Sequence, residues 1–219
     1  IAKLVVGNLY DTETFAIFSN GAYEIPLLSI IGSSLFSVII PQLKSYFDGK
    51  KFDEVNRLWN KAGLSMIPII VSLASSFIVF SKPIVLFLFS EKYVLSIPYF
   101  SLYQINLLFR IYSYGSFFIA VGKSRLYMIN AAISMVLNLV LDITLTILIG
   151  PMGAIIAGLI STFTLVLLQL YQISKILNMS MLKIYPWKEW VLSIGISLLV
   201  SASCYIAYGF LGTSVYLGL

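Results

Sequence analysis

The sequence predicts an all-α, polytopic transmembrane helix bundle. Three observations point there. Of 219 residues, 59% are hydrophobic and 11% charged, and the mean hydropathy is +0.97. Soluble domains run near 45–50% apolar and about 25% charged, and a water-soluble chain of this size has too little polar surface to cover such a composition. The apolar residues fall into six runs of the roughly 20 residues that a spanning helix needs. None of the runs alternates with period two, as a membrane β-strand would.

The six spans are residues 15–40, 62–80, 97–121, 126–149, 153–173 and 190–208. Residues 1–10 read as the end of an earlier span, and 209–219 as the start of a later one. The chain opens on Ile1 rather than Met, so residues 1–219 read as a piece of a longer protein.

Charge orients the spans. Lys44, Lys50, Lys51, Arg57 and Lys61 follow the first span, Lys123 and Arg125 the third, and Lys175, Lys183 and Lys188 the fifth. The other side carries only Lys3, Lys82 and Lys92. Basic residues collect in short cytoplasmic loops, so linkers 41–61, 122–125 and 174–189 are expected in the cytoplasm. Gly150, Pro151 and Met152 then form a tight outer turn. The net charge of +5 reflects this topology and attraction to anionic lipid headgroups, not nucleic-acid binding.

Two linkers carry their own pattern. Phe52, Val55, Leu58 and Trp59 recur at helical spacing among charges, which predicts a short amphipathic helix on the cytoplasmic face. Residues 82–93 are too short to span and read as an interfacial segment. Tyr185, Trp187 and Trp190 stand at a boundary, where aromatic belts form. The chain has no histidine, which removes His-based metal sites, Ser-His-Asp triads and histidine proton switches. The single Cys204 lies in an apolar run and reads as a small packing residue.

Three ionisable residues fall inside the spans: Glu24, Arg110 and Asp142. Each costs about 2.5–3.5 kcal/mol near the bilayer centre on insertion scales, taking Glu as similar to Asp, and such residues usually face a bundle interior or a watery path. In the fourth span Asn130, Ser134, Asn138, Asp142 and Thr146 recur every fourth residue, which places neighbours on one helix face. At a rise of 1.5 Å per residue the row is about 24 Å long, most of the hydrocarbon thickness. Asn138 and Asp142 form its central pair. Their oxygens suit a hard cation such as Na⁺, or the carboxylate holds a proton; Ser134 extends the ion-coupling candidates. The alternative is interhelical glue, with Asn and Asp bonding each other and a neighbouring helix.

In the third span Tyr99, Tyr103, Asn106, Arg110 and Ser113 share a face. The planar fork of arginine matches phosphate, and tyrosines offer flat faces and hydroxyls to sugars. Arg110, Asn106, Tyr103 and Glu24 are the substrate-binding candidates. The alternative is a structural ion pair of Arg110 with Asp142 or with Glu24. In the first span, Pro26 deprives the Ala22 carbonyl of its helical partner and predicts a kink beside Glu24.

Three segments carry a family resemblance. SLFSVIIPQLKSYFDGKKFDE, SKPIVLFLFSEKYVLSIPYFSLY and AVGKSRLYMINAAISMVLNLVLDITLTILIGPMGAIIAGLIS resemble the lipid-linked oligosaccharide flippases of the multidrug/oligosaccharidyl-lipid/polysaccharide superfamily, the O-antigen and capsule transporters. The third carries the Gly122–Lys123 turn, Asn138 in mid-helix, the Gly150 turn and the small residues Gly153, Ala154 and Ala157. Ser90 stands where the family often has Gly, and Lys44 where Ser is frequent. The resemblance implies the C-terminal lobe of a two-lobe, MATE-like transporter in the cytoplasmic (inner) membrane. It implies alternating access and an undecaprenyl-pyrophosphate-linked oligosaccharide as substrate, turned between leaflets. Arg110 would then meet pyrophosphate or acidic sugars, and Asp142 with Asn138 would couple Na⁺ or H⁺. Membrane lipids and other polysaccharide-assembly proteins are the implied partners, with no other cofactor.

A multidrug or cation antiporter of the same superfamily is the nearest rival, although Arg110 favours an anionic substrate. A membrane enzyme of polysaccharide assembly is a more distant one. Its catalysis would need paired acid–base or nucleophilic groups on sizeable outer loops, and residues 81–96 offer one Glu and two Lys. The expectation is a transporter, not an enzyme.

Overall fold

The computed structural model describes residues 1–25 and 34–209, together with the helical backbone of 27–33 and 210–217. Among the described residues the chain is all-helical, without strands. Its helices are α1 (Ala2–Leu9), α2 (Thr12–Gly21), α3 (Leu27–Asp48), α4 (Phe52–Val79), α5 (Ser81–Phe89), α6 (Ile97–Gln104), α7 (Tyr114–Ala120), α8 (Ser124–Ile149), α9 (Pro151–Leu177), α10 (Met181–Ile184) and α11 (Trp187–Leu217). Two 3₁₀ stretches, Glu91–Ser96 and Ile105–Phe109, flank α6.

Four helices among the described residues are long and apolar enough to cross a membrane: Phe52–Val79, Ser124–Ile149, Met152–Leu177 and Trp187–Gly209. They contain four of the six expected spans. The spans expected at 15–40 and 97–121 are not continuous helices. The first divides into α2 and α3 around non-helical residues 22–25, and the second into α6, a 3₁₀ stretch and α7, with non-helical backbone at 110–113. Ile25 precedes a proline, which disfavours helical backbone. The kink expected at Pro26 itself lies outside the described residues. Residues 105–113 contain neither Gly nor Pro, and tertiary contacts break that span.

The amphipathic stretch after Lys51 is also not a separate surface helix. It is the first part of α4, because no breaker separates it from the apolar run and because Val55, Trp59, Ala62 and Met66 bury one continuous face. Asp53 and Glu54 complement the dipole in its first turn. The interfacial segment expected at 82–93 is α5 with the following 3₁₀ turn.

α4 is the central pillar. Trp59 lies among Phe36, Tyr112, Tyr114 and Phe117, with the Tyr112 ring stacked on it at 4.7 Å. Gly63 admits the Tyr112 side chain, since a Cβ there would overlap its ring and hydroxyl. Tyr185, just after α10, and Trp187, at the start of α11, join this aromatic cluster. Asn56 and Asn60 on α4 both donate to the Lys183 carbonyl, at 3.2 and 2.9 Å. Two of the three basic linkers therefore meet at one end of the bundle.

α8 and α9 form an antiparallel hairpin about Gly150, whose φ of +78° suits glycine. Pro151 starts α9, where its missing N–H costs nothing. Gly153 lets the helices touch, because a Cβ there would strike the Leu145 carbonyl. In their most apolar windows α4 and α9 are each 44% buried, whereas α8 is 11% and α11 6%. α8 and α11 thus stand at the periphery and present apolar side chains outward, as lipid-facing helices do.

Candidate functional site

The two interrupted segments lie against each other, joined by contacts along their length. Ser96 donates to the Ile17 carbonyl at 2.7 Å, and Gly21 packs so closely on Ser96 and Tyr99 that a Cβ would overlap them. Gln104, almost fully buried, donates to the Tyr23 carbonyl at 3.3 Å. At the end of this ladder Arg110 Nη1 donates to Glu24 Oε1 at 2.5 Å. Both charged residues stand where helix has given way to irregular backbone. In membrane proteins such backbone is tolerated where it is buried in protein or lines a water-filled cavity.

A cavity of about 640 Å³ opens beside them. Its walls come from both interrupted segments and from α8 and α9. Tyr103, Asn106, Arg110, Glu24, Ser134 and Asn138 all border it. Six of the seven residues singled out in the sequence are thus brought to one space from three separate spans. The side chains of Arg110 and Glu24 are 52% and 42% exposed, so their ion pair is wetted. Arg110 pairs with Glu24 and not with Asp142, which decides between the two pairings the sequence allowed.

Asp142 does not border the cavity. It is fully buried one turn beyond Asn138, whose Nδ2 stands 3.5 Å from Asp142 Oδ1, at the outer limit of a hydrogen bond. Asp142 Oδ2 and the buried Thr146 Oγ1 have no partner among the described residues. The buried residues of α8 are Asn130, Asp142 and Thr146, so the expected polar row does face inward while the apolar face turns out. Its members differ. Asn130 exchanges two hydrogen bonds with Gln172 of α9, at 2.7 and 2.8 Å, which is interhelical glue. Thr146 is held through its backbone, where its carbonyl accepts from the Tyr10 hydroxyl at 3.1 Å.

For Na⁺, the oxygen-bearing side chains along this face are Asn138, Asp142 and, one turn further on, Thr146, whose hydroxyl does not bond the Asp142 carboxylate. A buried carboxylate with one oxygen unpartnered among the described residues suits a hard cation or a proton. Among the described residues no three His, Cys, Asp or Glu side chains gather as a metal site would require.

Several residues at the site were not singled out in the sequence. Gln104, Gln169 and Ser161 border the cavity. The spacing of Ser161, Leu165 and Gln169 at every fourth residue was the available signal for the last two, a shorter version of the α8 row. Tyr112 and Tyr114 carried no such signal, because their inward position follows from the break at 110–113.

Fold and site together define a protein that, among the described residues, is all-helical, with four helices able to cross a membrane and a partly polar cavity between broken segments. No family model, curated protein or solved structure matches the chain.

Proposed function

We propose that this chain is one lobe of a flippase that carries undecaprenyl-pyrophosphate-linked oligosaccharide repeat units across the cytoplasmic membrane by ion-coupled alternating access. In this reading the two interrupted helices count as spans, so the lobe has about six. The observation that carries the proposal is the Arg110–Glu24 pair, set at two helix interruptions and open to the cavity. Secondary transporters build substrate sites from discontinuous helices in this way. Arg110 supplies a planar, permanently charged fork for a phosphate group. Tyr103 and Asn106 supply an aromatic face and an amide for a sugar. Asp142, buried beyond Asn138, takes up and releases the coupling H⁺ or Na⁺. The resemblance of the α8–α9 hairpin segment to flippases supports the same reading.

Deleting the protein in its host tests the proposal. Lipid-linked repeat units are expected to accumulate on the inner leaflet while surface polysaccharide is lost, and stably made Arg110→Ala and Asp142→Asn variants are expected not to restore it. Full rescue by either variant removes that residue from the mechanism. A second reading, a multidrug or cation antiporter, is favoured by the Glu24 carboxylate in the cavity wall. Altered drug resistance without accumulation of lipid-linked sugar would select it.

A further inference from the structure

We propose that Asn138 is the gate between the cavity and Asp142: a proton passes from cavity water to the buried carboxylate, and back, as the Asn138 amide turns. The inference rests on the reading of Asp142 as the ion-carrying group and commits that ion to a proton.

Position comes first. Asn138 borders the cavity and Asp142 does not. The same Asn138 side chain reaches Asp142, with Nδ2 3.5 Å from Oδ1. It is half-buried, whereas Asp142 is fully buried. Among the described residues, Asn138 is the one cavity-lining side chain with a hydrogen-bonding contact to Asp142. Thr146 lies a turn beyond Asp142, on the side away from Asn138, and its buried hydroxyl has no partner among the described residues.

The amide suits a gate. It both donates and accepts. With Nδ2 toward Asp142 it donates to a carboxylate; turned over, its Oδ1 accepts from the protonated acid. The present contact is at the outer limit of a hydrogen bond, so it holds the amide only weakly in one orientation. In the step itself Asn138 neither gains nor loses a proton. An O–H bond breaks in a protonated water of the cavity, and one forms at an Asp142 oxygen. A hard cation would need several oxygens gathered at once, and Thr146 does not join the carboxylate. A proton needs one, and Asp142 Oδ2 has no partner among the described residues.

The helices packed on α8 are α1, α7 and α9. The titratable residues of α9 are Tyr171 and Lys175, both toward its end far from the Gly150 turn. α7 has Tyr114. α1 has Lys3, which donates to the Ser19 carbonyl, and is flanked by Tyr10, which donates to the Thr146 carbonyl, and by the Ile1 amino group, whose charge acts on Asp142 through space. α8 itself has Arg125 and Tyr127 in its first turn. Among the described residues, none of these groups bonds the Asp142 carboxylate.

Infrared spectroscopy of the intact protein in nanodiscs, moved from ordinary to heavy water, tests this. The Asp142 carboxylic-acid C=O band, identified as the one that Asp142→Asn removes, shifts as its proton exchanges. Asn138→Leu keeps the branched shape without the polar atoms and is expected to slow exchange about tenfold, the scale of one hydrogen bond to a buried group. Asn138→Ala removes the plug, lets cavity water reach the carboxylate, and is expected to speed exchange by about the same factor. A residue that only packs, or only ligates the ion, would shift both variants in one direction or neither. Either result overturns the gate and leaves Asp142 as the ion carrier. Should Asn138→Leu not fold, Asn138→Val decides: slowed exchange supports the gate, and unchanged or faster exchange overturns it. If Asp142→Asn removes no such band at any pH at which the protein stays folded, Asp142 carries no proton and the gate fails with it.

Discussion

Trp190 donates its indole N–H to the Leu108 carbonyl at 3.0 Å. Leu108 lies two residues before Arg110, in the 3₁₀ stretch that ends the helical part of its segment. The carbonyl bonded to Trp190 is one that a continuous α-helix would have given to the amide four residues on. The bond therefore ties α11 to the interruption that presents Arg110 to the cavity.

Trp190→Phe keeps the aromatic contacts with Phe109 and Trp187 but leaves the Leu108 carbonyl unpaired. A loss of about 1–3 kcal/mol is expected from an orphaned acceptor. Thermal unfolding in detergent should show a lower midpoint, and the proposed transport should fall in the folded fraction. An unchanged midpoint would show that the bond does not hold the break.

Asp142→Asn is expected to separate stability from transport. Asp142 is buried with one carboxylate oxygen unpartnered among the described residues, so neutralising it removes a desolvation cost rather than a favourable pair. The unfolding midpoint should hold or rise while transport falls by at least about tenfold, if the carboxylate carries the coupling ion. A lowered midpoint with transport intact would make Asp142 a structural residue.

Asn130→Ala should behave in the opposite way. It breaks the reciprocal amide pair with Gln172 and costs about 0.6–2 kcal/mol, the range for interhelical hydrogen bonds in membranes. The ion dependence of the proposed transport should not change, and flux assays at varied pH and Na⁺ would show it.

Tyr112→Phe is expected to be neutral or mildly stabilising, within about 1 kcal/mol. The Tyr112 hydroxyl is buried without a partner among the described residues, and removing an unpaired polar atom recovers its desolvation cost. Gly63→Ala, which drives a Cβ into the same tyrosine, should cost about 1–3 kcal/mol by overpacking. Thermal unfolding of the two variants side by side distinguishes the effects.

Asp11 caps α2, where its carboxylate accepts from the Thr14 N–H at 2.7 Å. That bond holds the fully exposed carboxyl below the usual aspartate range. A carboxylate whose pKa is lowered by folding stabilises above its unfolded value, near 3.9, and loses the contribution as pH falls through the lower folded value. Hydrogen-exchange protection at the first turn of α2, taken relative to the intrinsic exchange rate at each pH, should therefore fall on acidification below about pH 4. Asp11→Ala should show low protection at every pH, and wild-type protection insensitive to acid would rule the cap out.

Much of the bundle was legible in the sequence because membrane insertion is a local, additive property of about 20 residues. The fourth and fifth spans lie within α8 and α9, the sixth within α11, and the second within α4. The inward face of Asn130, Asp142 and Thr146 was legible too, since spacing by four fixes a helix face. The packing of the aromatic residues expected at a boundary was not legible, because it depends on α10, which folds Tyr185 and Trp187 onto the cluster around Trp59.

By itself the sequence determined that this is an all-helical chain with apolar helices able to cross a membrane, and that three ionisable side chains lie within its apolar runs. Hydropathy and periodicity are read along one strand of chain and need no partner. Only the tertiary structure decided where helices stop and which charges meet. Residues 105–113 hold no Gly or Pro, yet the helix breaks there, with the Tyr112 ring on Trp59 and the Leu108 carbonyl bonded to Trp190. That break turns Arg110 toward Glu24 and away from Asp142. Contacts between residues 50 to 90 positions apart outweigh local helix propensity, which is worth less than about 1 kcal/mol per residue.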